Sequence, residues 1–500
     1  MNLTLYSNKS IKLSTSLFIS LLFFIVGFIG IYFHELWADE SHHFLLGRDS
    51  SSFINLYNNT RYDGHPILWN YIIHLITRFS LNPFYMQLFH ITISSIVAFI
   101  FIKNSPFELW FKVLFLLGYF MLYEYNIISR NYNLGVLFLF LVCSWYEKRH
   151  EKFIIICFFL ALCCNTHAIF SIIPSCFLLS LFIEQKKAYN FRLFKKYWKG
   201  YLVFCIGLLL AYIQIIPKKD TPFFERINYS EVFEIVKATK SLFKAHFPIV
   251  DFTQPQYWNK FYIIEHFRPL YVILGILMWF LPFFLFFKKR NILVFIYSTC
   301  ICYVLFVFLI RVEYGTRYCG ILFFATIIGL WMKYYDNPQI KLSKLKLTFV
   351  TIIITIQAIA GILAYTLDIV RPFNYGKDVA SYIIEKNLPE DSIITSCESA
   401  SINAYLKDNL FNLCYQKNQG YYQWKLGCSE TFNLTSLEVI EKAYSLKQNK
   451  ETLYLILRKP IQNSEIKPLM QQNYFVSLLK GFEKSVTQNY YIYKIERKKN

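Results

Sequence analysis

An adjacent acid pair, Asp39-Glu40, stands just past the first long apolar run, inside His34-Glu35-Leu36-Trp37-Ala38-Asp39-Glu40-Ser41-His42-His43. Carboxylates at the edge of an apolar segment are costly to desolvate and need a reason to be there. Beside two histidines they can act as a general base or hold a divalent cation; the plainer reading is a solvated loop. A second cluster, Arg61-Tyr62-Asp63-Gly64-His65-Pro66-Ile67-Leu68-Trp69, gathers an arginine, an acid and a histidine in front of a helix start. Pro66 suits the first helical position, and His65 could hydrogen-bond a sugar or a phosphate. A third cluster, Glu124-Tyr125-Asn126-Ile127-Ile128-Ser129-Arg130-Asn131-Tyr132, adds another carboxylate and another arginine, for which an interhelical Glu124–Arg130 ion pair is the structural alternative. Arg311, Glu313 and Arg317 follow between two late apolar runs. Arginine suits phosphate because its planar fork forms paired hydrogen bonds. Singly none of these is specific; together they describe a pocket for a substrate with a lipid tail and an anionic head.

Such a pocket needs membrane helices to position it, and the composition supplies them. Of 500 residues 55% are hydrophobic, 20% aromatic and only 17% charged, with 51 Phe and 38 Tyr. That excludes disorder, a collagen-like repeat and a small disulfide scaffold, and it exceeds what soluble cores can hide. Lys and Arg number 52 against 32 acids, a net charge of +20, and they cluster between apolar runs at Glu147 to His150, Lys186 to Lys199 and Lys288 to Arg290. This distribution reads as membrane orientation with anionic lipid headgroups as partners, not as nucleic-acid binding. Most of the 12 cysteines lie in apolar runs as small hydrophobes, and no CxxC motif occurs.

The first run, Ser16 to Phe33, follows Lys9 and Lys12 without a cleavage site and reads as a retained helix. Further runs lie near 84–102, 107–123, 132–146, 152–166, 168–183, 201–217, 269–287, 291–310, 318–334 and 347–368, which makes about eleven spans. Treating 66–79 as an interfacial amphipathic helix puts every basic cluster on the cytoplasmic side, with the N-terminus. The outer segments are then a first loop, 35–83, a turn, 124–131, a loop, 218–268, and everything after about 369. The fold expected is a polytopic α-helical membrane protein with a transmembrane domain, 1–368, and a small extracytoplasmic α/β domain, 369–500. Strands are expected at Asp391 to Ser396, Thr452 to Arg458, Tyr474 to Leu479 and Tyr490 to Ile495, with helices near 377–387 and 436–448. In an oxidising space two of Cys397, Cys414 and Cys428 could pair.

Trp37-Ala38-Asp39-Glu40, His65-Pro66-Ile67-Leu68-Trp69 and Ser129-Arg130-Asn131-Tyr132-Asn133-Leu134 resemble the motifs of GT-C class glycosyltransferases. They are similar to those of bacterial enzymes of the protein O-mannosyltransferase and lipid A aminoarabinose transferase kind. The resemblance extends to Arg317-Tyr318 and to Pro372 to Ile384, though Ile67 replaces the usual second proline. It implies transfer of a sugar from a polyprenyl-phosphate donor to a glycan, lipid or protein acceptor at the outer face of a bacterial inner membrane. It implies Asp39 as the catalytic carboxylate, with Glu40 beside it and Glu124 matching by approximate position. Arg130 and Arg317 would handle donor phosphate, and His43, Arg61, His65 and Tyr132 complete the expected substrate site. A divalent cation, Mg or Mn, on Asp39 and Glu124 is compatible with these residues, but no ligand spacing marks it. A transporter or flippase for lipid-linked sugars would need broken helices or mid-membrane charges. A polysaccharide polymerase or ligase would draw on Arg226, His246, His266 and Arg268 of the 218–268 loop, and a scaffold would leave the clustered charges without a task.

Overall fold

The computed structural model describes residues 4–7, 10–189, 192–221, 240–310, 315–338, 341–396, 399–425 and 434–497. All the expected apolar runs are helical. Among the described residues eight helices are long and apolar enough to cross a membrane, from Leu13–Phe33 to Lys344–Val370. The other three runs are shorter than expected. Tyr132–Ser144 and Phe153–Cys164 are helices of 13 and 12 residues. The 107–123 run breaks into an α-helix, Leu109–Leu116, and a π-helical turn, Tyr119–Glu124. Gly118 is extended at the break, and Gly361 of the last long helix packs onto it so closely that a Cβ there would stand 2.2 Å from the Leu117 carbonyl oxygen. A π turn rotates the residues after it off the 3.6-residue face, which aims Glu124 and Tyr125 into the bundle.

The first loop is not irregular. It folds as three short helices after α1 (Leu13–Phe33): α2 (Ala38–Asp49), α3 (Phe53–Thr60) and α4 (Leu68–Phe79). Asp39 and Glu40 occupy the first turn of α2, where unpaired N–H groups favour anions. The Ser52 hydroxyl caps α3 by accepting from Asn55 N–H. The expected amphipathic helix is α4, which buries Trp69, Asn70, Ile73, His74 and Thr77 and leaves Phe79 exposed. It packs against α2 at Gly47, where a Cβ would lie 2.7 Å from Ile73 Cγ2. Gln214 ties this layer to the bundle, accepting from Ile67 N–H and donating to Asn165.

The chain reverses direction regularly. His34, Arg130, His167, Gln214, Thr316 and Asp368 therefore share one end of the bundle. The basic clusters share the other end, where Arg149 bridges Glu184 and Asp336 and stacks on Tyr146. Beyond the last long helix lies a mixed sheet of six strands: β1 (Ile393–Thr395), β2 (Phe411–Asn412), β3 (Lys417–Asn418), β4 (Thr452–Leu457), β5 (Tyr474–Phe482) and β6 (Tyr490–Arg497). Their order is β3-β2-β1-β4-β6-β5, with β1 parallel to β2 and β4 and the other pairs antiparallel. The expected strands and the helices at Gly376–Glu385 and Ser436–Leu446 are present. The two-residue strands β2 and β3 are too short to carry a period-2 pattern. Cys414 is disulfide-bonded; Cys397 and Cys428 lie outside the described residues.

The sheet region is fastened to the first loop. Arg48 of α2, buried, donates to the carbonyls of Asn403 and Leu406 and to Asn409 Oδ1. Tyr405 accepts from Leu36 N–H, and Tyr422 N–H donates to His42 Nδ1.

Candidate active site

Asp39 faces two guanidinium groups brought from distant parts of the chain. Arg130, in the turn before the Tyr132–Ser144 helix, donates through Nη1 to Asp39 Oδ2. Arg317, in the first turn of the Thr316–Asp336 helix, places Nη2 3.4 Å from the same oxygen. The Trp37 ring lies beside both, 5.9 Å from the Arg130 guanidinium and 5.0 Å from that of Arg317. Tyr132 flanks Arg130 at 5.8 Å, and Trp258 and Tyr318 flank Arg317 at 5.9 and 5.0 Å. Burial would raise the Asp39 carboxyl, but the two cations outweigh it and hold it below the usual range. The Asp39 side chain is still 28% exposed, so the pair opens onto solvent space rather than being sealed.

Glu40 points the other way. Its Oε1 accepts from Ser129 N–H at 2.5 Å and its Oε2 from Trp37 N–H at 3.2 Å. His34 Nε2 lies 3.0 Å from Oε2, and His34 Nδ1 lies 2.9 Å from Asp368 Oδ2 at the end of the last long helix. This buried acid–imidazole–acid chain pins the end of α1, the start of α2 and the turn bearing Arg130 to one another. Glu40 is fully buried, and one of its partners is the N–H of Ser129, the residue before Arg130. Burial alone would lower the His34 pKa, but Asp368 and Glu40 on either side push it up to about 10. A pKa raised on folding contributes stability that is complete below the unfolded value near 6.5 and disappears as pH climbs through about 10. A shift of that size corresponds to roughly 5 kcal/mol. The detergent-solubilised protein is expected to lose thermal stability steadily between those pH values, and His34→Gln to flatten the slope. Equal slopes in the two proteins would assign the pH dependence elsewhere.

Glu124 does not pair with Arg130, contrary to the ion pair considered for that turn, because Arg130 is engaged by Asp39. It is buried in the π turn, its Oε2 accepting from Tyr119 Oη at 2.7 Å and Trp258 Nε1 at 3.1 Å. Nor does it suit a cation shared with Asp39, since each carboxylate is held by protein donors and two guanidiniums would repel a metal. His42, His43 and Asp63 each offer one ligand atom, all within 4.8 Å of one another. That group also fits a metal poorly as it stands. His42 Nδ1 accepts the Tyr422 N–H, so the proton of the neutral ring sits on Nε2, the nitrogen that faces Asp63.

His43, His65 and Tyr132 gather beside Arg130, and His167 joins them. The His65 and His167 rings are 4.1 Å apart, and His167 stacks on Tyr132 at 4.8 Å. Arg61 lies near Lys218, which sits over the Tyr62 ring at 4.4 Å, with Lys425 over the same ring at 4.9 Å. Of the 218–268 loop, His246 is buried and bonded to the Leu242 carbonyl and Thr326, while Arg226 lies outside the described residues, as do Arg311 and Glu313. The loop's contributions to the site are instead Trp258 and Asn259, which accepts from Thr316 N–H at the foot of Arg317. Sequence reasoning passed over Trp258, His167 and Asp368, and it placed His34 in the first cluster without giving it a role. Asp368 did leave a signal, as the single acid of the last apolar run.

The chain matches no protein-family model and no curated protein. Among solved structures it is similar to the crystal structure of ArnT from Cupriavidus metallidurans in the apo state, with a TM-score of 0.49 and 12% identity, over 96% of this chain and 97% of that one.

Proposed function

We propose that this chain transfers a sugar from a polyprenyl-phosphate donor to an acceptor hydroxyl at the outer face of the bacterial inner membrane. The observation that carries the reading is the convergence of Asp39, Arg130 and Arg317 at the mouth of an apolar helical bundle. Two arginines match a phosphodiester anion, the bundle suits its lipid tail, and the carboxylate is the base. The motifs that resemble GT-C enzymes contain these same residues. A transporter is disfavoured because the charged groups sit at helix ends, not at mid-membrane depth.

The chemistry follows from charge. An arriving donor phosphate competes with Asp39 for the two guanidiniums, which frees Oδ2 and lets its pKa rise toward the ordinary carboxylate value near 3.9. The acceptor oxygen attacks the anomeric carbon as its proton passes to Asp39. The bond to the phosphate oxygen breaks, and the released phosphate stays on Arg130 and Arg317. One displacement inverts the anomeric centre, and a phosphate leaving group needs no general acid, unlike an ordinary glycoside. Orientation is supported by the basic clusters at the opposite end and by the Cys414 disulfide in the sheet region.

The test is turnover of the purified full chain in nanodiscs with labelled polyprenyl-phosphoryl monosaccharides and an envelope extract as acceptor. Release of polyprenyl phosphate with label moved to acceptor is expected. Failure of the protein to bind any polyprenyl phosphate would end the proposal. Turnover is further expected to persist in EDTA, because the arginines already supply the cations. Loss in EDTA restored by Mn would return a metal to the site.

A further inference from the structure

The Asp63 side chain, 7% exposed, lies at the edge of the histidine group, and the transfer reaction leaves it without a role. Its Oδ1 lies 3.3 Å from His42 Nε2; its Oδ2 lies 3.8 Å from His43 Nδ1 and has no hydrogen-bond partner. His43 Nε2, His65 Nδ1, His167 Nε2 and the Tyr132 hydroxyl are also buried without partners. These atoms are contiguous: His43 and His65 rings are 6.3 Å apart, His65 and His167 4.1 Å, and His167 leads to Tyr132 beneath Arg130. A ligand that both donates and accepts would satisfy these contiguous buried atoms.

Burial holds the His43 ring down to about 3 and lowers His65 and His167 as well, so the imidazoles are uncharged at neutral pH. Burial would raise the Asp63 carboxyl, yet it lies well below its ordinary range, so the group is a carboxylate where it faces His42 Nε2. The cluster therefore offers one carboxylate and neutral rings, which suits hydroxyl groups and not a second phosphate. Asp63 is itself fixed from the sheet region. Tyr422 N–H donates to His42 Nδ1 at 3.0 Å, which leaves the His42 Nε2 proton to donate to Asp63 Oδ1.

We infer that Asp63, held by His42 and Tyr422, recognises the sugar of the donor, its Oδ2 accepting from a glycosyl hydroxyl while the phosphate rests on Arg130 and Arg317. This rests on the proposed transfer reaction and adds that the sheet region takes part in sugar selection.

The experiment measures binding of two kinds of probe to the full chain: bare decaprenyl phosphate, and decaprenyl phosphates bearing glucose, galactose, mannose, arabinose or N-acetylglucosamine. At least one sugar is expected to tighten binding over the bare carrier. Asp63→Asn should erase about 10- to 100-fold of that gain, the worth of one charge-assisted hydrogen bond, and leave the bare carrier's affinity unchanged. His42→Gln, which keeps a side-chain N–H, should retain more of the gain than His42→Phe. The inference is overturned if Asp63→Asn keeps the gain, if both probes weaken equally, or if the wild type binds the bare carrier but gains nothing from any sugar. Absence of carrier binding in the wild type overturns the transfer reading itself.

Discussion

Asp39→Asn is expected to abolish transfer, with a fall of about 10²–10⁴ in kcat, while the protein still inserts and folds. The amide is isosteric with the carboxylate but cannot take the acceptor proton. It also removes the anion that the two guanidiniums share, so donor binding should hold or tighten. That pairing of lost kcat with undiminished donor affinity separates a base from a structural acid, since loss of a fold contact weakens both. The pH profile adds a sign. With the arginines on Asp39 its pKa lies below the ordinary range, and donor phosphate draws them off. The acid limb of kcat, set in the donor complex, should therefore lie at higher pH than that of kcat/KM, set in the free enzyme. Near-normal turnover by Asp39→Asn would remove Asp39 from the chemistry, and coincident limbs would remove the exchange of partners.

The site's ingredients were legible in the chain because each sits where an apolar run ends, and reversing helices bring alternate ends together. Asp39, Arg130 and Arg317 meet for that reason. Which acid meets which cation was not legible, since it depends on where a side chain points. Asp39 and Glu40 are adjacent, yet successive helical residues diverge by about 100°, so one faces the arginines and the other His34. The Glu124–Arg130 ion pair does not form because Arg130 is taken by Asp39 and the π turn departs from the α-helical period. It is Trp258, from a loop with no periodic signal, that meets Glu124. The six-stranded sheet was legible where strands were long, as at β4 and β6, and not at β2 and β3.

Removing either guanidinium should cost nearly as much as removing the acid. Arg130→Gln and Arg317→Gln are each expected to lower transfer by about 10²–10³, the usual effect of losing one donor aimed at developing negative charge. The loss should fall on donor binding as well as on kcat, because phosphate is present in the ground state. Lysine is a poor substitute at either position. It keeps the charge but not the planar fork or the contact with the Trp37 ring, so most of the loss should remain. The two effects should not add. Both groups contact Asp39 Oδ2, and loss of one leaves the other free to relax onto the carboxylate and away from the phosphate. Arg130→Gln also strips Asp39 of its main partner, so adding Asp39→Asn to it should recover part of any lost thermal stability without recovering turnover. Strictly additive losses in kcat/KM, or a fully active Arg130→Lys, would show that these cations are spectators and that the donor's phosphate is held elsewhere.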